Sequence, residues 1–183
     1  MVLFGFGVGL ANFANGRDRE PRAIFAAIAE ALPLTACYGS TGNVALDDGD
    51  PNDTQSVLEA VTGTAWAVIS AERLEEALTT LTAVPKPPHA SDERPTPGLA
   101  FAVTHPGEGN VVSNERAHIH RISESIVTVW KLDPLLGEIL DRDRRRGGWG
   151  AISADIARQV GGRWTSRSRR TIDGLRNRAS IAG

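Results

Sequence analysis

Two clusters near the C-terminus hold the residues best suited to binding charge: "RDRRRGGWG", Arg142 to Gly150, and "GGRWTSRSRR", Gly161 to Arg170. Each joins arginines to glycines and one tryptophan, Trp149 or Trp164. A guanidinium offers planar, multidentate donors to a phosphate, and an indole can stack on a base. Backbone N–H groups at the start of a last helix would add to such an anion site. The alternative is that both tryptophans anchor the core while the arginines are solvated or paired with acids. General anion binding ranks ahead of sequence-specific recognition, because Ile172 and Leu175 read as buried beside these charges.

Other chemistries fail on spacing. "GFGVGL" sets Gly5, Gly7 and Gly9 in a G-x-G-x-G pattern, with Leu10 where a dinucleotide fingerprint needs its third glycine. A helix should also start at once, so that its N-terminus meets the pyrophosphate, but helical spacing waits until about Pro21. No glycine loop ends in G-K-[ST], so a P-loop is absent. "YGSTG" does not centre Ser40 in a nucleophile elbow. His118 and His120 share one strand face, two ligands without a third at useful spacing, while His89 and His105 fall in loops. The carboxylate pairs Asp47/Asp48 and Glu75/Glu76 read as a loop and a solvated helix face, with no acid–base role. No cofactor and no metal is expected.

Positioning these residues requires a folded chain, and the composition supplies one. At 183 residues with 41% hydrophobic content, the chain can bury one sizeable core or two small ones. No apolar run approaches the ~20 residues needed to cross a bilayer. The single cysteine, Cys37, has no internal disulfide partner and fits a reducing cytoplasm. The net charge of -2 hides a division: residues 1–140 carry nine Lys/Arg against eighteen Asp/Glu, and residues 141–183 carry eleven Arg against four Asp. Such asymmetry suits either an anionic partner or a basic tail packed beside the acidic half of its own chain.

The apolar pattern reads as a strand at Val2–Val8, a helix opened by Pro21 and closed by Pro33, and strands at Leu34–Tyr38 and Asn43–Leu46. Asp53 is expected to cap a helix carrying Leu58, and Thr64–Ile69 to form the next strand. That order, β-α-β-β-α-β, is the ferredoxin-like unit. Ser70 then caps a helix with Leu74, Leu78 and Leu81 inward. Five of the ten prolines lie between Pro85 and Pro97, giving an expected organisation of residues 1–84, a proline-rich linker 85–97 and a second α+β half, 98–183. The second half reads as strands at Leu99–Thr104, Ala117–Ile122 and Ile126–Lys131 and a helix from Pro134 to the arginine run. A helix capped by Ser153 and stopped by Gly161-Gly162 follows, then a last helix beginning near Thr165 or Ser168. No heptads or long repeats occur.

Three places together resemble a bacterial family, domain of unknown function family 1697. "LFGFGVGL" is similar to its opening L-L-R-G-I-N-V-G-G and keeps Gly5, Val8 and Gly9. "ACYGSTGNV" is similar to T-Y-I-Q-S-G-N-V and keeps Tyr38, Gly42, Asn43 and Val44. "WTSRSRRTI" is similar to T-T-R-N-W-N-T-V and keeps Thr165, Arg167 and Thr171. The chain departs at Phe4, Gly7, Leu10, Ser168 and Arg169, where the family has other residues. The resemblance implies an α+β fold with a ferredoxin-like first half and supplies no activity, substrate or cofactor.

The expected site comprises Gly5, Gly7, Gly9, Asn43, Thr165, Arg167, Arg169 and Arg170, converging on a polar crevice between the halves. These types supply backbone approach, amide hydrogen bonds and anion contacts rather than nucleophiles. Equally, the glycines and Asn43 could serve turns and Thr165 a helix cap. The leading expectation is a cytoplasmic α+β protein that binds nucleic acid, or second a phosphorylated small molecule, with no membrane partner. An enzyme acting on a small phosphorylated substrate in a Gly/Asn-lined crevice and a structural, protein-interaction role are the alternatives. Oligomeric state is left open.

Overall fold

The computed structural model describes residues 1–8, 21–39, 42–87, 96–114, 117–131 and 149–182. The chain is α+β, with two antiparallel four-stranded sheets. It divides into two compact units, Met1–Leu74 with Arg170–Gly183, and Glu75–Arg169.

The first unit contains β1 (Leu3–Gly7), α1 (Pro21–Ala31), β2 (Leu34–Cys37), β3 (Asn43–Leu46), α2 (Pro51–Thr62) and β4 (Trp66–Ser70). The strand order β2-β3-β1-β4 is the ferredoxin-like arrangement that the alternation of helical and strand periods implied. One face of the sheet sends Leu3, Val44, Leu46 and Trp66 against Ile24, Ile28 and Leu58 of the two helices, and all seven are buried. Trp66 satisfies its one polar atom while fully buried, because its Nε1 donates to Thr62 Oγ1 at 2.8 Å. The cap of α2 is Asp50 rather than the expected Asp53: its carboxylate accepts from the N–H groups of Asn52 and Asp53, and Pro51 opens the helix. A proline at the first helical position has no N–H to leave unsatisfied, so the cap falls on the residue before it.

Ser70 ends β4 and its Oγ accepts from Arg73 N at 3.3 Å, as a cap of α3 (Ala71–Ala83) should. From Glu75 onward that helix belongs to the second unit, which continues with β5 (Thr96–Ala102), β6 (Ala117–Ser123), β7 (Ile126–Lys131), α4 (Trp149–Val160) and β8 (Trp164–Ser168). The last helix, α5 (Arg169–Ala182), lies from Arg170 onward in the first unit. There Gly174 faces Tyr38, whose ring atoms would lie 2.5–2.9 Å from a Cβ at that position. The Arg178 guanidinium sits 5.2 Å above the same ring and donates to the Cys37 carbonyl.

The second sheet runs β6-β7-β5-β8. Counted from the first strand of each sheet, this is the same order as the first: second, third, first, fourth. The ferredoxin-like strand order therefore occurs twice. Residues 103–114, which contain no helix, occupy the place of the first helix in the second copy. Ala100, Ala117, Ile119, Val127 and Val129 pack on Ile152, Ile156 and Val160 of α4. Ser153 does not cap α4; the helix starts one turn earlier, and Ser153 Oγ donates back to Trp149 O and meets Ser166 Oγ at 2.7 Å. Gly161 and Gly162 end α4 with φ of 73° at both, a left-handed conformation that suits glycine. The helix expected from Pro134 lies outside the described residues.

Candidate basic and aromatic site at the end of the second sheet

The segment expected to open the last helix is a strand. Thr165 pairs with Phe101 and Arg167 with Leu99, so Thr165 sits in the middle of β8 and caps nothing. The helix begins at Arg169, so of the two expected starts the one near Ser168 holds and the one near Thr165 does not. Alternation along β8 turns Trp164, Ser166 and Ser168 toward the α4 face and Thr165 and Arg167 toward the other. Trp164 is 3% exposed within the core cluster and its Nε1 donates to Gly161 O at 2.9 Å, so it anchors the fold and has no free face. Arg167 Nη1 donates to Thr165 Oγ1 at 2.6 Å and to Ser166 O at 2.9 Å. Burial of this guanidinium lowers its pKa to about 10.

Arg169 Nη1 donates to Thr82 Oγ1 near the end of α3, at 3.3 Å. Arg170 is exposed. The first turn of α5 holds no acidic residue of its own.

The other expected site residues have structural partners. Gly5 lies on the helix-facing side of β1, where a Cβ would come 2.9 Å from Val44 and 3.3 Å from both Leu58 and Trp66. Gly7 N donates to Gly42 O at 2.8 Å. Asn43 is fully buried; its Nδ2 donates to Tyr38 O at 2.8 Å, and its own carbonyl accepts from Tyr38 N at 3.0 Å. It thus fastens the β2–β3 hairpin from both its side chain and its main chain. Asn43→Ala should cost about 1–3 kcal/mol in urea unfolding, since it strands a buried carbonyl, while leaving anion binding unchanged. Gly9 lies outside the described residues. Gly5, Gly7, Asn43 and Arg170 belong to the first unit, and Thr165, Arg167 and Arg169 to the second.

Two residues that sequence reasoning passed over, Gly98 and Lys131, join Trp149 at one end of the second sheet. Gly98 pairs with Ser168, the last residue of β8, and with Val129 on β7. A Cβ on Gly98 would fall well inside contact with the Arg167 carbonyl oxygen, and 2.6 and 2.9 Å from two carbons of the Trp149 six-membered ring. The missing side chain is what lets the indole lie against the strand backbone. Lys131, the last residue of β7, holds its Nζ 5.7 Å from the Trp149 ring centroid. That separation is within reach of cation–π attraction. Trp149 is half-buried, packed at the edge of the core cluster. The ends of β7 and β8 and the starts of β5 and α4 therefore assemble an indole, an ammonium group and a serine, and Arg169 follows directly in the chain.

Among the described residues no group of three or more His, Cys, Asp or Glu could hold a metal ion. No helix among them is long and apolar enough to cross a membrane. His118 has a polar neighbour, Ser113 Oγ, 3.3 Å from its Nδ1. Comparison of the chain with protein-family models, curated proteins and solved structures finds no match.

Proposed function

We propose that the protein binds nucleic acid at the end of the second sheet, through Lys131, Trp149 and Arg169, all in the second unit. The observation that carries this reading is Trp149 laid against Gly98 beside the Lys131 ammonium. A cation beside an aromatic face is the pairing that sequence-tolerant nucleic-acid grooves use.

Fluorescence anisotropy of a labelled oligonucleotide against salt concentration tests it. Each phosphate contact releases counterions, and two such contacts, from Lys131 and Arg169, predict a log–log slope of roughly -1.4 to -1.8. Arg169→Ala should flatten the slope by up to one contact. A folded protein that binds no oligonucleotide at low salt would sink the proposal. Salt-insensitive saturation by a phosphorylated small molecule instead would favour the second partner class.

A further inference from the structure

We infer that the site prefers single strands, with an unpaired base stacking on the Trp149 indole; this rests on the nucleic-acid reading above. Three observations point the same way. First, the indole is fixed. Its six-membered ring rests where a Gly98 side chain would stand, so it cannot settle into the sheet without moving backbone atoms. A rigid aromatic plane gives up little conformational freedom when a ligand lies on it. Second, Trp149 is only half-buried although it packs against a core cluster whose own tryptophan, Trp164, is 3% exposed. Third, the Lys131 Nζ at 5.7 Å from the centroid provides a phosphate contact one side chain away from the stacked base.

In a duplex the bases are already stacked on one another, and only phosphates and groove edges are offered. An indole half-sunk in a sheet end reaches neither groove, since it projects from no free helix or ribbon. An unpaired base needs only a plane and a nearby cation, which this corner supplies. Base–aromatic stacking contributes enough per base to dominate a small site.

The experiment compares wild type, Trp149→Leu and Trp149→Phe against three probes at one low salt concentration. The probes are a single-stranded oligonucleotide, the same sequence as a duplex, and inorganic polyphosphate. Wild type should bind the single strand at least about fivefold more tightly than the duplex. Trp149→Leu should lose roughly 5- to 100-fold for the single strand while changing polyphosphate binding less than twofold. Trp149→Phe should retain most of the single-strand affinity, and circular dichroism of both variants checks that each is folded. Equal wild-type affinity for single strand and duplex overturns the inference but leaves the nucleic-acid reading standing. So does a parallel loss for single strand and polyphosphate in a folded Trp149→Leu. Failure of wild type to bind all three probes overturns both.

Discussion

Replacing Gly98 by alanine is expected to destabilise the second unit by about 3 kcal/mol or more, the upper range for forcing atoms into a packed site. The added methyl group would collide with the Arg167 carbonyl oxygen, which belongs to a paired strand and cannot swing aside like a side chain. It would also press on the Trp149 ring from 2.6 Å. Relief requires either parting β5 from β8 or lifting the indole. Urea unfolding followed by tryptophan fluorescence distinguishes this from a harmless change: a midpoint within error of wild type would mean that the strands yield without cost. Trp149→Leu in the Gly98→Ala background should recover part of the loss, because it removes one of the two collisions. The recovery must stay incomplete, since the carbonyl collision persists.

Arg167→Met is expected to do the opposite and stabilise the fold, by about 1–3 kcal/mol. Burial lowers the Arg167 pKa from its ordinary value to about 10, so at neutral pH the folded state holds a protonated guanidinium at a cost. A shift of this size corresponds to roughly 3 kcal/mol, which hydrogen bonds to Thr165 and Ser166 offset in part. Methionine fills similar volume without the charge. The sign fixes the pH dependence as well. The cost is constant below about pH 10, where both folded and unfolded chains are protonated, and fades as pH rises above it, because the folded chain releases its proton before the unfolded one. The difference in stability between variant and wild type should therefore be flat from pH 6 to 9 and shrink above about 10. Destabilisation by Arg167→Met would mean that the guanidinium's hydrogen bonds outweigh its desolvation. Because alternation places this side chain on the sheet face away from Trp149, oligonucleotide affinity should change less than twofold.

The first sheet was legible in the sequence because its signals are local. Apolar runs at Leu3, Val44 and Trp66 alternate with helical spacing at Ile24, Ile28 and Leu58, and those residues form the buried cluster. Prolines and small polar residues marked the turns between them. The second sheet was legible for β6 and β7, a hairpin with clear alternation. It failed at β8, where "WTSRS" has one β-branched residue and two serines and reads as a capping segment. What makes it a strand is its pairing with β5, more than sixty residues away in the chain. Intrinsic propensity cannot report a ladder of that span. The cap at Ser153 failed for a related reason. A serine inside a helix can bond back to the carbonyl four residues earlier, as Ser153 does to Trp149.

The candidate site was half legible. Arginine and tryptophan in one segment suggested charge and stacking, and Trp149 was among them. Gly98 and Lys131 carried no signal, since a glycine after a proline and a lysine at a strand end are both ordinary. Their meaning comes from register: Gly98 opposite Ser168, and Lys131 at the last position of β7. Trp164 has the same local sequence character as Trp149 and a different fate, because strand alternation turns it into the core. The repeated strand order was invisible for a similar reason. Hydrophobic alternation sets which face of each strand is buried, and it does not encode the order of strands in the sheet.

The assignment of α5 to the first unit has a consequence for synthesis. A ribosome delivers β1 to β4 before the second unit, yet the helix that brings Gly174 against Tyr38 and Arg178 against the Cys37 carbonyl emerges only after it. While the second unit is being made, the first lacks the helix that packs on Tyr38. Meanwhile Glu75–Arg169 has all its own strands before α5 is complete. The second half is thus placed to finish folding before the first, against the usual order of emergence.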